Sequence, residues 1–218
     1  MVIEAFYRRV VLPAFETGYK RRKTLRYLGQ LEQSQWWEPG DLEREQGAAL
    51  QRLLQHAARH CPYYREQWQR LDLRPEEVWE RADFHRWPIV DKAMIRENRR
   101  AMRADPPPGP LISKSTGGSS GEPLHFDLDQ GSHERRGAAT LRGYGWAGAR
   151  LGTKQFYLWG AALTPLSLGQ RCKDRLYNLI QRRNVANCFH LSDDTTPQFV
   201  QQLNAYRPDV VVGAANHN

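Results

Sequence analysis

Gln155-Phe156-Tyr157-Leu158-Trp159 reads as a β-strand, and the chain beyond it repeats the pattern. Leu168, Cys172, Leu176, Leu179 and Ile180 mark a helix. Asn187-Cys188-Phe189-His190-Leu191 reads as a second strand. Thr196-Pro197 opens another helix, with proline at the first helical position and Phe199, Val200 and Leu203 as its apolar face. Asp209-Val210-Val211-Val212 closes the series as a third strand, apolar enough to lie inside a parallel sheet covered on both faces. Strands and helices alternating at this spacing imply crossover connections and a largely parallel sheet flanked by helices.

Upstream the same half begins with a short strand at Leu111-Ile112-Ser113 and an alternating strand at Pro123-Leu124-His125-Phe126-Asp127-Leu128. A helix over 131–147 follows. Pro106-Pro107-Pro108-Gly109-Pro110 is the clearest break, since prolines remove donors and fix φ. Before it the chain reads as helical. Asp41 is the expected cap of a helix over 42–60, with Leu50, Leu53, Leu54 and Ala57 on one face, stopped by Cys61-Pro62. A short polar helix over 76–82, an extended Trp87-Pro88-Ile89-Val90 and a helix over 92–103 capped by Asp91 complete it. The expected architecture is α/β: a helical region over 1–104, then a mostly parallel sheet with flanking helices over 105–218.

The chain has 218 residues, 40% of them hydrophobic. A chain of that size buries about 70% of its unfolded surface, enough for a core. No apolar run approaches the ~18 residues of a membrane span, and the first residues lack the order of a secretory signal. Cys61, Cys172 and Cys188 are odd in number and scattered, which argues against a disulfide framework and for a reducing cytoplasm. The net charge of +8 is uneven. Residues 1–26 hold seven bases against Glu4 and Glu16, and Arg171, Lys173, Arg175, Arg182 and Arg183 face only Asp174 nearby in sequence. Such charge favours anionic partners. No nucleic-acid-binding motif accompanies it. For the basic N-terminus, interrupted by Pro13, a solvated helix over the protein body is the first expectation and a weak membrane-surface contact the second.

The strongest chemical signal is Ser115-Thr116-Gly117-Gly118-Ser119-Ser120-Gly121-Glu122-Pro123, between two short strands. Glycines allow backbone N–H groups to converge on an anion, and hydroxyls add neutral donors for phosphate oxygens. Lys114 adds charge. The bland alternative is a Ser/Gly linker. It is not a Walker A loop, because no Gly-Lys-Ser/Thr follows. Gly117-Gly118-Ser119-Ser120-Gly121 also fits the G-x-S-x-G elbow of hydrolases, but Pro123 and a strand follow where a helix is needed.

Other candidates have ordinary explanations. His56, His60 and Cys61 offer three metal-ligand types in six residues but no fourth ligand nearby, and histidines near a helix C-terminus suit its dipole. His125 and His190 sit on strands beside aromatics and read first as core or pocket-wall residues. Trp159-Gly160 ends a strand, where ligand crevices of open α/β sheets lie, and reads first as packing. No catalytic residue and no metal ligand is assigned.

Four segments together resemble the phenylacetate–coenzyme A ligase branch of the adenylate-forming enzymes, in particular its members associated with capsular and exopolysaccharide genes. Leu53 to Arg65, ending in Pro62-Tyr63-Tyr64-Arg65, resembles the family's helix ending in Pro-Tyr-Tyr-Arg. Trp87-Pro88-Ile89-Val90-Asp91-Lys92 is similar to its Leu-Pro-x-x-x-Lys, and Ser115 to Pro123 to its phosphate loop. Tyr206-Arg207-Pro208-Asp209-Val210-Val211-Val212-Gly213 is similar to its Tyr-x-Pro-Asp-x-x-x-Gly strand. The resemblance spans nearly the whole chain.

The resemblance implies a partial N-terminal domain of a ligase that joins a carboxylate to ATP as an acyl-adenylate. A thiol, usually of coenzyme A, then takes the acyl group. ATP, Mg²⁺ and coenzyme A are the implied cofactors, and nucleotide and carboxylate the implied partners. Ser115, Thr116, Gly117, Gly118, Ser119, Ser120 and Gly121 match the phosphate loop position by position. Ser119-Ser120 stands where Thr-Thr or Ser-Thr is usual, and Glu122 adds an unhelpful acid. The family's adenine-binding aromatic motif, Mg²⁺ glutamate, ribose aspartate and lysine-bearing C-terminal domain have no counterparts here. The match fails at Ala214, where the family has tyrosine. The expectation is therefore an N-terminal fragment that does not adenylate alone, with an unpaired apolar sheet edge. The competing expectation is a non-catalytic anion-binding or scaffolding module of a polysaccharide pathway.

Overall fold

The computed structural model describes residues 2–78, 81–116, 123–160, 167–188 and 192–213. Helix α1 (Val2–Phe6) runs on through π-helical turns at Tyr7–Val11 and Ala14–Tyr19. Then come α2 (Thr24–Ser34), α3 (Pro39–His60), α4 (Pro62–Arg70), 3₁₀ turns at Pro75–Glu77 and Arg81–Arg86, and α5 (Lys92–Asn98). A hairpin of β1 (Ile112–Ser115) and β2 (His125–Leu128) leads into α6 (Gln130–Trp146). The remainder alternates: β3 (Gln155–Trp159), α7 (Leu168–Ile180), β4 (Arg183–Asn187), α8 (Thr196–Tyr206) and β5 (Val210–Gly213). The fold mixes helix and sheet, as the alternation predicts. It divides into two compact units, residues 1–29 with 137–218 and residues 30–136.

In the first unit the three late strands pair in the order β4-β3-β5, both pairs parallel. Phe156, at the centre of β3, is 1% exposed. The Tyr206-Arg207-Pro208-Asp209 segment explains itself structurally. Tyr206 packs on Phe156 with ring centroids 6.3 Å apart. Arg207 ends α8 in the left-handed conformation (φ 48°), donating its N–H to Leu203 O, and Pro208 follows where helices commonly stop. The Asp209 carboxylate accepts the Lys154 N–H at 3.0 Å, and the Asp209 N–H donates to Lys154 O at 2.8 Å, which fixes β5 beside β3. Among the described residues β5 is an edge strand, paired with β3 alone.

In the second unit Leu54, Trp68, Val78 and Trp87 form the core, with Leu50, Ala57, Ala58, Tyr64 and Leu73 packed around it. The Trp68 and Trp87 rings meet edge to face at 4.5 Å. Pro62 occupies the first turn of α4, where its missing N–H has no partner to lose. The preceding Cys61 is therefore held extended, and α3 ends there.

Several local expectations need correction. Helix α3 begins at Pro39, ahead of the expected 42, because Pro39 can itself start a helix; Asp41 is not the cap and instead pairs with Arg44 inside the first turn. In place of the polar helix over 76–82 stand 3₁₀ turns at Pro75–Glu77 and Arg81–Arg86; Trp79 and Glu80 lie outside the described residues. Asp91 does cap α5, accepting the Met94 N–H at 2.8 Å, but the regular helix ends at Asn98. The strand expected at 187–191 lies at Arg183–Asn187. Its polar sequence hides it: Ala186 is buried, but Val185 is 44% exposed. Of the expected segment, 189–191 fall outside the described residues. Pro13 does not interrupt its helix. It keeps helical angles (φ −61°, ψ −43°), and the turns on both sides widen to π geometry, which absorbs the missing donor.

Gly152 is held at φ +85°, and a Cβ there would lie 2.7 Å from the Glu4 carbonyl oxygen and 3.2 Å from Tyr7 Cβ. The turn before β3 thus seats the N-terminal helix against bare backbone. Gly152→Ala combines a disfavoured φ with a clash against main chain. It should destabilise the chain by about 1–3 kcal/mol, read as a lower urea midpoint. An unchanged midpoint would show that the N-terminal helix does not dock there.

Candidate functional site

The hairpin of residues 112–128 carries the glycine- and serine-rich loop on antiparallel strands. The register pairs Ser113 with Asp127, Lys114 with Phe126 and Ser115 with His125. At the loop's base Thr116 closes a small ring: its N–H donates to Leu124 O at 3.0 Å, and its Oγ1 accepts the Leu124 N–H at 3.0 Å. Of the candidate loop residues, Ser115 and Thr116 are placed. Gly117, Gly118, Ser119, Ser120 and Gly121 lie outside the described residues, as do Glu122 and His190.

Side chains alternate across a strand, so Ser113, Ser115, His125 and Asp127 share one face. Lys114 and Phe126 take the other, where the Arg136 guanidinium lies 5.9 Å from the Phe126 ring. Lys114 therefore lies on the strand face opposite Ser113, Ser115 and His125.

That face is held by arginines. The Asp127 side chain is only 8% exposed. Its carboxylate accepts Arg99 Nη2 at 3.2 and 3.3 Å and Arg103 Nε at 2.7 Å. Arg99 Nη2 also reaches Ser113 Oγ at 3.3 Å. Burial alone would raise the Asp127 carboxyl, but the hydrogen bond and charge of Arg103, with those of Arg99, outweigh it and hold it below the usual range. Arg96, Arg99, Pro123 and His125 then line an open cleft of about 500 Å³ at the foot of the loop. A lining with two guanidiniums and an imidazole suits an anion.

Sequence reasoning missed these arginines. Their signal was the spacing of Arg96, Arg99 and Arg103 at i, i+3 and i+7, one stripe of a helical repeat.

Asp129 caps α6. Its Oδ1 accepts the Ser132 N–H at 2.8 Å, and its Oδ2 accepts the Ser132 hydroxyl at 2.9 Å. The His56 and His60 rings lie 4.6 Å apart on α3, and Cys61 is buried with its thiol pushed up by desolvation, away from thiolate chemistry. Among the described residues no group of three or more His, Cys, Asp or Glu stands close enough to hold a metal ion. Trp159 ends β3 48% exposed. No protein-family model matches the chain, and no curated protein matches it.

Asp127→Asn leaves Arg99 and Arg103 sharing a neutral acceptor. It should destabilise the chain by about 1–3 kcal/mol at pH 7. The parent's advantage is complete above the unfolded carboxyl value near 3.9 and is lost as pH falls through the lowered folded value. Urea midpoints of both proteins should therefore differ at pH 5–7, and the gap should narrow as pH falls below about 3.9. A constant gap down to pH 2 would assign the loss to something other than this carboxylate's charge.

Proposed function

We propose that this chain carries the ATP-phosphate-binding part of an adenylate-forming acid–thiol ligase similar to phenylacetate–coenzyme A ligases, acting in the cytoplasm with a capsular or exopolysaccharide pathway. The observation that carries the reading is the hairpin itself. A glycine- and serine-rich stretch is held between antiparallel strands and closed at its base by Thr116, beside a cleft bearing Arg96, Arg99 and His125.

In this reading the N–H groups of 117–121 and the hydroxyls of Ser115, Thr116, Ser119 and Ser120 bind the β- and γ-phosphates. The guanidiniums at the cleft offset their charge. The carboxylate substrate attacks the α-phosphorus, forming the acyl–phosphate bond and releasing pyrophosphate. The coenzyme A thiol then displaces AMP. Mg²⁺ would screen phosphate charge in such a reaction. The described residues do not fit it, since Asp127 is already shared by two arginines, and no step is assigned to the ion.

Equilibrium binding of ATP and AMP to the chain and to Gly117→Val/Gly118→Val tests the reading. Valines at the anion-facing backbone should weaken ATP binding about tenfold, the loss of one or two charge-assisted hydrogen bonds, and leave AMP little changed. Equal ATP affinity in both proteins, or AMP bound as tightly as ATP by the parent, would reject the loop as a phosphate site.

A further inference from the structure

The two units differ sharply in charge. Residues 1–29 and 137–218 hold 16 Lys and Arg against six Asp and Glu, ten net positive charges. Residues 30–136 hold 16 against 18, two net negative. The positive unit also leaves apolar side chains in solvent in a helical pattern. On the N-terminal helix Val2, Ile3, Phe6 and Val10 are 85%, 63%, 55% and 51% exposed. The same helix buries Leu12 (1%) and Glu16 (6%). Its inward face is held to the end of α7: Phe15 packs on Tyr177 at 5.9 Å, and Gln181 Nε2 donates to Glu16 Oε1 at 3.1 Å. The Arg182 guanidinium lies 5.3 Å from the Tyr7 ring.

Helix α7 has an exposed stripe of its own. Leu168, Leu176 and Leu179 are 80%, 59% and 69% exposed, and Cys172 falls between them on the same face. Arg171, Lys173 and Arg175, all exposed, flank it. Two neighbouring helices, the first with Leu12 and Glu16 buried and α7 with Tyr177 and Ile180 half-buried, thus both present apolar side chains bordered by bases to solvent. No helix among the described residues is long and apolar enough to cross a membrane.

From this pairing we propose that the unit docks on an anionic lipid bilayer, lying on the surface with the N-terminal helix and α7 in the headgroup layer. Bases flanking an aliphatic stripe match what such a surface requires, acidic headgroups for the guanidiniums and acyl chains for Val, Ile, Phe and Leu. A nucleic acid would use the charge but has no apolar layer for the aliphatic stripes. The inference is independent of the phosphate-loop reading, because it rests on the other unit.

The test is co-sedimentation of the whole chain with phosphatidylcholine vesicles, with and without about a third phosphatidylglycerol. Binding is expected only to the anionic vesicles and should fall on the order of tenfold or more between about 0.05 M and 0.5 M salt. Phe6→Ser/Val10→Ser and Leu176→Ser/Leu179→Ser, all at exposed positions, should each weaken it about fivefold or more while the circular dichroism stays unchanged. On the unsubstituted chain, anionic vesicles should protect residues 2–19 and 168–180 from hydrogen exchange and leave 39–70 unaffected. Failure to bind anionic vesicles would overturn the proposal. So would binding indifferent to both serine pairs, protection elsewhere, self-association through these leucines without vesicle binding, or displacement from vesicles by an RNA homopolymer that binds more tightly.

Discussion

One half-buried carboxylate organises the candidate site. Asp127 sits on the second strand of the hairpin and takes hydrogen bonds from Arg99 and Arg103, just beyond α5. An ionised carboxylate so placed is favoured only with its arginine partners beside it, which ties the strand to Arg99 and Arg103. Asp91 supports them by starting α5 in the correct place. With the arginines fixed, Ser115 and His125 are presented on the same face, and Thr116 pins the loop's two ends.

The segments that carry the family resemblance divide by the work they do. Pro62-Tyr63-Tyr64 starts a helix and supplies aromatic packing: Tyr63 is buried and Tyr64 lies 5.1 Å from Trp68. Trp87 fills the core, and Asp91 caps α5. Tyr206 to Asp209 ends one helix and locks the next strand. These roles follow from proline φ, capping and ring packing, and any chain needing this fold could use them. Only Ser115 to Gly121 has a composition that the fold does not itself require.

That division also explains how much the sequence reveals by itself. The strand at 155–159, the helix at 168–180 and the parallel pairing were legible, because apolar side chains at the right period mark a strand or a helix whether that face is covered, as at Phe156, or left exposed, as at Leu168, Leu176 and Leu179. The strand at 183–187 was not, since Arg183, Asn184 and Asn187 carry no such signal and the strand is set by its pairing with β3. The start of α3 was misplaced because Pro39 opens the helix ahead of Asp41. The loop was visible by composition, but the arginines beside it were not. Their role depends on Asp127, distant in sequence, and charged residues at helical spacing look the same whether they face water or a carboxylate.

Residues 115–121 are proposed to receive phosphate while Asp127 holds their support rigid. Amide hydrogen exchange across 111–128, with and without saturating ATP, tests this most directly. Slowed exchange within 115–122 on adding ATP is predicted, with the strands at 112–114 and 126–128 protected in both states. Exchange in 115–122 that ATP does not alter, or strand amides already open without it, would contradict the account.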